Sequence, residues 1–263
     1  MFFIIQVKTI RLKNMRLNAN FKSDFYNQQP SLMRSKSQKL SFGYKIVKVS
    51  PEKLQTILKE FEETFQISDK KIVPDFLKDI DIQKVLRPLN GIPPAFNQKS
   101  KPLVEWQPQM DLQDANRWSL NSVFRQDFYH GTSKEHLEKI QKNGFNPNLS
   151  SELECGGGIY VTPNINEAKE YGDGTIATMK INVANPLIID TPNIIEFNKL
   201  RTKFSETIET FSKERNYSNE EKQALFNEQL RRFFTRHGFD MIKNQTYNHY
   251  IVLNPKDIAL LKN

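Results

Sequence analysis

The sequence predicts an α+β fold whose sheet is mixed or antiparallel, split by a helical insertion and preceded by a helical accessory region. Three observations predict it. From residue 123 onward, short apolar runs of strand length alternate with helical patterns. Residues 194–236 then carry Ile195, Phe197, Leu200, Phe204, Ile208, Leu225, Leu230, Phe233 and Phe234 at helical spacing. Two further strand-length runs come after that block, so the block sits inside the sheet's sequence rather than beyond it.

In chain order, residues 1–44 read as a basic arm without sustained periodicity. Residues 1–45 hold Lys8, Arg11, Lys13, Arg16, Lys22, Arg34, Lys36, Lys39 and Lys45 against Asp24 alone, which accounts for the whole net charge of +8. Such a run either is a solvated tail or draws the protein to nucleic acid, an anionic surface or an acidic partner. Met1-Phe2-Phe3-Ile4-Ile5 is too short for the apolar centre of a signal peptide and has no basic segment before it.

Residues 45–122 read as the helical accessory region with a Pro-rich connector. Ser50-Pro51-Glu52-Lys53 reads as an N-cap, a first-turn proline and a capping-box acid, in the order helix starts prefer. Leu54, Ile57, Leu58, Phe61 and Phe65 then share one helical face. A second helix is expected between Pro74 and Leu86. Pro88, Pro93, Pro94, Pro102 and Pro108 punctuate an irregular segment to about residue 113. Trp106 and Trp118 are expected to pack across the junction with the C-terminal part.

Residues 123–263 read as the C-terminal domain. Strands are expected at Val123–Tyr129, Gly158–Thr162, Thr175–Val183, Leu187–Asp190, Phe239–Ile242 and Tyr250–Leu253. Helices are expected from Ser133 to Lys142, ended by Gly144, and from Asn164 to Tyr171. Hydrophobic content of 38% with 26% charged residues is ordinary for a soluble protein. No apolar run approaches the roughly 20 residues that span a bilayer. The one cysteine, Cys155, allows no intramolecular disulfide and fits a reducing compartment.

Two motifs carry the chemistry. His130-Gly131-Thr132 ends the first strand, and Gly156-Gly157-Gly158-Ile159-Tyr160-Val161-Thr162 enters the second. Glycine lacks a Cβ, so it suits places where backbone approaches a ligand closely. Tyr171 lies eleven residues after Tyr160, within Asn166-Glu167-Ala168-Lys169-Glu170-Tyr171-Gly172. Asn185-Pro186-Leu187-Ile188-Ile189-Asp190 and His249-Tyr250-Ile251-Val252 complete the pattern. Taken singly, His130 fits a structural histidine and each tyrosine a core aromatic; the order and spacing single them out.

From residue 128 to the end, these fragments resemble ADP-ribosyltransferases of the diphtheria-toxin and PARP-like branch, with the texture of bacterial and phage toxin-type members. The resemblance implies a split-sheet transferase fold with NAD as co-substrate and no metal. It implies that His130 hydrogen-bonds a ribose hydroxyl and that Gly131 holds the nicotinamide amide through its backbone. It implies that Tyr160 and Tyr171 sandwich the nicotinamide ring, with Thr132, Gly158 and Thr162 beside them. At the third family position, where relatives carry Glu, this chain has His249; Ala168 stands where relatives often place Ser. The catalytic set is thus His130, Tyr160 and His249, and the implied activity is mono-ADP-ribosylation of a protein side chain rather than polymer synthesis. A bacterial effector or toxin, soluble in the bacterial cytoplasm or delivered into a target cell, fits that texture. The alternatives are a catalytically weak NAD- or ADP-ribose-binding module, a transferase acting on nucleic acid, related RNA 2′-phosphotransferase chemistry, or an NAD glycohydrolase.

Overall fold

The computed structural model describes residues 49–67, 73–89, 109–149, 155–245 and 248–262. The arm, Trp106 and most of the Pro-rich connector lie outside these residues. Seven α-helices occur among them: α1 (Pro51–Thr64), α2 (Ile82–Val85), α3 (Leu112–Trp118), α4 (Lys134–Asn143), α5 (Ile165–Ala168), α6 (Ile194–Glu214) and α7 (Asn219–Arg236). Seven strands accompany them: β1 (Phe128–Thr132), β2 (Ile159–Val161), β3 (Thr175–Ile181), β4 (Pro186–Ile189), β5 (Met241–Asn244), β6 (His249–Val252) and β7 (Ile258–Leu260). The fold is α+β.

The strands form two sheets. One is antiparallel in the order β1-β3-β7; the other runs β2-β6-β5-β4 and is mixed, with only β4 and β5 parallel. A parallel pair needs a long crossover, and here α6 and α7 supply it. The helical insertion therefore has a topological role: it carries the chain from β4 back to the start of β5. β1 and β2 are each the outer strand of their sheet, and a bridge between Tyr129 and Thr162 joins them. The split in the sheet lies at that junction.

Local chemistry explains most helix ends. Ser50, Asp111, Ser133 and Ser218 each accept a hydrogen bond from a backbone N–H in the first turn of the helix they precede. Ser218 and Glu221 form a full capping box, which restarts the helical block after Asn216 takes a left-handed conformation. At α1 the acid sits one position early, so Glu52 closes no such box and Ser50 caps alone. Gly144 ends α4 at φ 76°.

Several expected boundaries move. Residues 74–86 form a 3₁₀ turn (Asp75–Leu77) and the short α2 instead of one helix, because Asp81 caps a fresh start. Residues 123–127 are not strand. Val123 N–H bonds Val183 O, Ser122 Oγ accepts from Val183 N, and the buried Lys180 reaches Arg125 O and Asp127, so irregular anchors replace a ladder. The helix expected over Asn164–Tyr171 narrows to α5, and β7 is a strand that the sequence pattern does not mark.

Two hydrophobic cores result. Phe128, Ile159, Val161, Met179, Ile181, Met241, Tyr250, Val252 and Leu260 belong to the core of the sheets. The other core joins Leu54, Ile57, Leu58 and Phe61 of α1 to Phe197, Phe204, Phe211, Leu225, Leu230 and Phe234 of the crossover helices. Trp118 is half-buried, and its carbonyl accepts from Asn182 Nδ2. Residues 87–89 cover the outer edge of β4 through Leu89 N–H to Pro186 O, Ile188 N–H to Arg87 O, and the Arg87–Asp190 ion pair. No helix among the described residues is long and apolar enough to cross a membrane.

Candidate active site

Where the two sheets part, a cleft opens. β1 forms one wall with Tyr129, His130 and Gly131, and β2 another with Tyr160, Val161 and Thr162. Glu167, Ala168 and Tyr171, on and after α5, cover it, and His249 at the start of β6 forms the remaining wall. Seven of the residues singled out by sequence thus converge: His130, Gly131, Tyr160, Thr162, Ala168, Tyr171 and His249. Thr132 and Gly158 do not line the cleft. Thr132 is buried beneath it, with its carbonyl accepting from Asp173 N–H. Gly158 packs against Ile251, and its N–H bonds Pro147 O.

Strand geometry decides what Gly131 offers. Tyr129 exchanges both backbone hydrogen bonds with Thr162, at 2.8 and 3.0 Å, across the side of β1 that faces away from β3. In an antiparallel strand, the N–H and C=O of alternate residues point to the same side. Those of Gly131, two residues on, therefore point to the same side, past the one bridge between β1 and β2, where the strands part and the cleft begins. Among the described residues, Gly131 makes no backbone bond outside its sheet. An amide donor and acceptor thus stand side by side at the mouth of an aromatic pocket.

Gly131 also lets α5 close down. A Cβ on it would lie 1.8 Å from Ala168 O and 2.9 Å from Tyr171 Cβ. The requirement is one of space, since only glycine admits the turn that carries Tyr171. Gly172 makes a second such contact, at φ 63° and against Thr132 O. These glycines fix the distance between the cover and the β1 wall.

His130 is buried, and Nδ1 lies 2.8 Å from Tyr160 O. A carbonyl only accepts, so Nδ1 carries the proton and Nε2 is the ring's acceptor. Loss of hydration pushes the imidazole's pKa down to about 4, with the Tyr160 carbonyl opposing the shift and His136 adding to it. His130 is therefore neutral near pH 7 and suited to accept from a hydroxyl. Phe145 packs edge-on against its ring at 5.3 Å.

That burial makes stability depend on pH. The unfolded chain takes up a proton at His130 near pH 6.5 and the folded chain only near pH 4, so the stability this group contributes is full above the first value and falls with pH between them. This histidine is expected to remove on the order of 2 kcal/mol between pH 8 and pH 5. Urea unfolding of the protein and of His130→Asn at both pH values checks this. The substitution should flatten the slope by that amount, and equal slopes would contradict it.

The tyrosines differ in exposure. Tyr160 is 8% exposed, and its hydroxyl donates to Gly156 O, so the ring is held from behind by the glycine turn. Tyr171 is half-buried and rides on Gly131. His249 meets the Tyr160 ring edge-on, with centroids 6.0 Å apart. Cys155 is buried, with Asn244 Nδ2 at 3.8 Å from its sulfur, and does not line the cleft.

Sequence reasoning does not single out Tyr129, Val161 or Glu167 as site residues. Tyr129 and Val161 flank residues that it does identify, and strand continuity alone would have found them. Glu167 depends on tertiary geometry: Thr162 Oγ1 donates to its Oε2 at 2.8 Å.

Comparison with known proteins agrees with this geometry at the level of family. No curated protein and no solved structure matches the chain. Residues 126–262 do match a family model described as "ADP-Ribosyltransferase in polyvalent proteins". The matched region contains all seven strands and every residue that lines the cleft. It spans more than half of the sequence, and the chain belongs to this family of ADP-ribosyltransferases.

Proposed function

We propose that the protein transfers single ADP-ribose units from NAD to a protein side chain, releasing nicotinamide, and that it serves as a bacterial effector or toxin. The observation that carries the reading is the open edge at Gly131, where a backbone N–H and C=O point together into an aromatic cleft. A carboxamide presents the complementary acceptor and donor, so nicotinamide can dock there as an extra strand residue would. Tyr160 and Tyr171 then flank the pyridinium ring, whose positive charge favours aromatic neighbours. Neutral His130 accepts from a ribose hydroxyl through Nε2.

The bond to break joins the ribose carbon to the nicotinamide nitrogen. Its electrons pass to the ring, which leaves neutral, and positive charge develops on the ribose. Catalysis of such a step rests on positioning and electrostatics. With His249 where relatives carry the acid tied to polymer growth, single transfer is the expected outcome. The toxin or effector role rests on the texture of the motifs.

The test uses purified protein, labelled NAD and a cell lysate, with His130→Ala in parallel. A discrete labelled protein that disappears in His130→Ala is expected, with kcat/KM lowered on the order of 10²-fold. Labelling of nucleic acid alone would overturn the choice of acceptor. Binding of NAD with neither label nor released nicotinamide would reduce the protein to a binding module.

A further inference from the structure

Departure of nicotinamide leaves positive charge spread over the ribose carbon and ring oxygen. Fixed negative charge beside that point lowers the barrier, and enzymes that cleave glycosidic bonds commonly meet the charge with a carboxylate. Among the residues that line the cleft, Glu167 alone has one.

Its placement is specific. Glu167 lies in α5, half-buried, on the cover of the cleft. Thr162 Oγ1 accepts from Asn164 N–H at 3.1 Å, which directs its single proton to Glu167 Oε2 at 2.8 Å. Thr162 directly follows β2, is bridged to Tyr129 of β1 and is 7% exposed, so it holds the carboxylate from the wall of the cleft. Glu167 makes no ion pair among the described residues, whereas Glu135, Glu196 and Glu209 each have a lysine partner. An acid held by a buried hydroxyl, facing a cleft and not neutralised by a cation, is placed for chemistry rather than for surface pairing.

We propose that Glu167 is a catalytic carboxylate of this site. As the ribose–nicotinamide bond breaks and its electron pair goes to the nicotinamide nitrogen, Glu167 faces the cationic ribose carbon. The acceptor's nucleophile then bonds to that carbon and gives up its proton to the Glu167 carboxylate, which returns it to solvent. NAD⁺ and the protonated acceptor thereby become ADP-ribosyl acceptor, nicotinamide and one proton. This role rests on the NAD-cleavage reading above, and it belongs to a residue that neither the motif resemblance nor the family match assigns.

The alternative is structural: an acid in the first turn of α5 that only tethers Thr162. Glu167→Gln separates the two, since its amide oxygen still accepts from Thr162 while the charge is gone. Nicotinamide release by the full chain should show kcat lowered on the order of 10²-fold or more. KM, the Kd for NAD and the melting temperature should stay near the parent values. Glu167→Ala should lose as much, and added formate should restore part of its rate, which a tether would not allow. A Glu167→Gln kcat within about threefold of the parent overturns the proposal while leaving the NAD reading intact, and so does absence of formate rescue. A parent protein that neither binds nor cleaves NAD removes the reading itself, and this proposal with it.

Discussion

Alanine at position 131 is expected to abolish most NAD turnover. The added Cβ would meet Ala168 O at 1.8 Å, Ala168 C at 2.9 Å and Tyr171 Cβ at 2.9 Å. Two of these atoms belong to backbone, so no side-chain rotation relieves the clash. α5 and the turn after it must lift, and Glu167, Ala168 and Tyr171 move with them while β1 stays in its sheet. Displacement of catalytic groups by about 1 Å can cost about 10²-fold. Overpacking of this kind costs roughly 1–3 kcal/mol. The checks are nicotinamide release and thermal melting of Gly131→Ala. We expect kcat/KM lowered by at least about 10²-fold and a melting temperature lowered by several degrees. Activity within about threefold of the parent would show that α5 does not set the geometry of the cleft.

A chain that starts at residue 109 is expected not to fold. Residues 123–263 carry the whole family motif, yet their helices are apolar on a face that α1 covers. Leu54, Ile57, Leu58 and Phe61 are at most 7% exposed. Phe61 meets Phe211 edge-on at 5.1 Å, and Phe76 meets Phe204 at 5.3 Å. Glu62 pairs with Arg232 and Arg236, and Arg232 also pairs with the buried Glu228. Each large apolar side chain buried in this way contributes about 1.5–3 kcal/mol. Loss of α1 and the turns after it therefore removes on the order of 10 kcal/mol, comparable with the entire stability of a typical domain. Circular dichroism of the shortened chain during heating is the test. A broad, non-cooperative transition is expected, and a sharp melt close to that of the full chain would show that residues 123–263 are autonomous.

How much of the fold was legible in the sequence depended on the range of the interaction. Ser50, Ser133 and Gly144 could be read directly, because a cap is settled within about four residues. The pairing of β1 with β2 was not legible: a single bridge at Tyr129 and Thr162 joins the two sheets there, and nothing local specifies it. The break near Asn216 was present as Ser218-Asn219-Glu220-Glu221 but stood inside an otherwise unbroken helical pattern. β7 is three residues long and exists by pairing with β3, which a short sequence window does not contain.

The site divides in the same way. His130, Gly131, Tyr160, Tyr171 and His249 could be found because they stand at the positions that the family resemblance marks, and the cleft brings them together. Thr132 and Gly158 lay in the same motifs but serve the packing behind the cleft. Glu167 lay within one of those motifs as one acid of two. Its place in the lining of the cleft and its bond to the Thr162 hydroxyl distinguish it from the exposed Glu170 one turn of chain later.

The most direct measurement tracks both ends of the donor. Purified protein and its acceptor are incubated with NAD labelled on the adenylate in one reaction and on nicotinamide in another. The adenylate label is expected to become bound to protein while the nicotinamide label is released in equal amount, with both lost in His130→Ala. Nicotinamide label retained on the protein, or adenylate released without transfer, would contradict ADP-ribosyl transfer at this cleft.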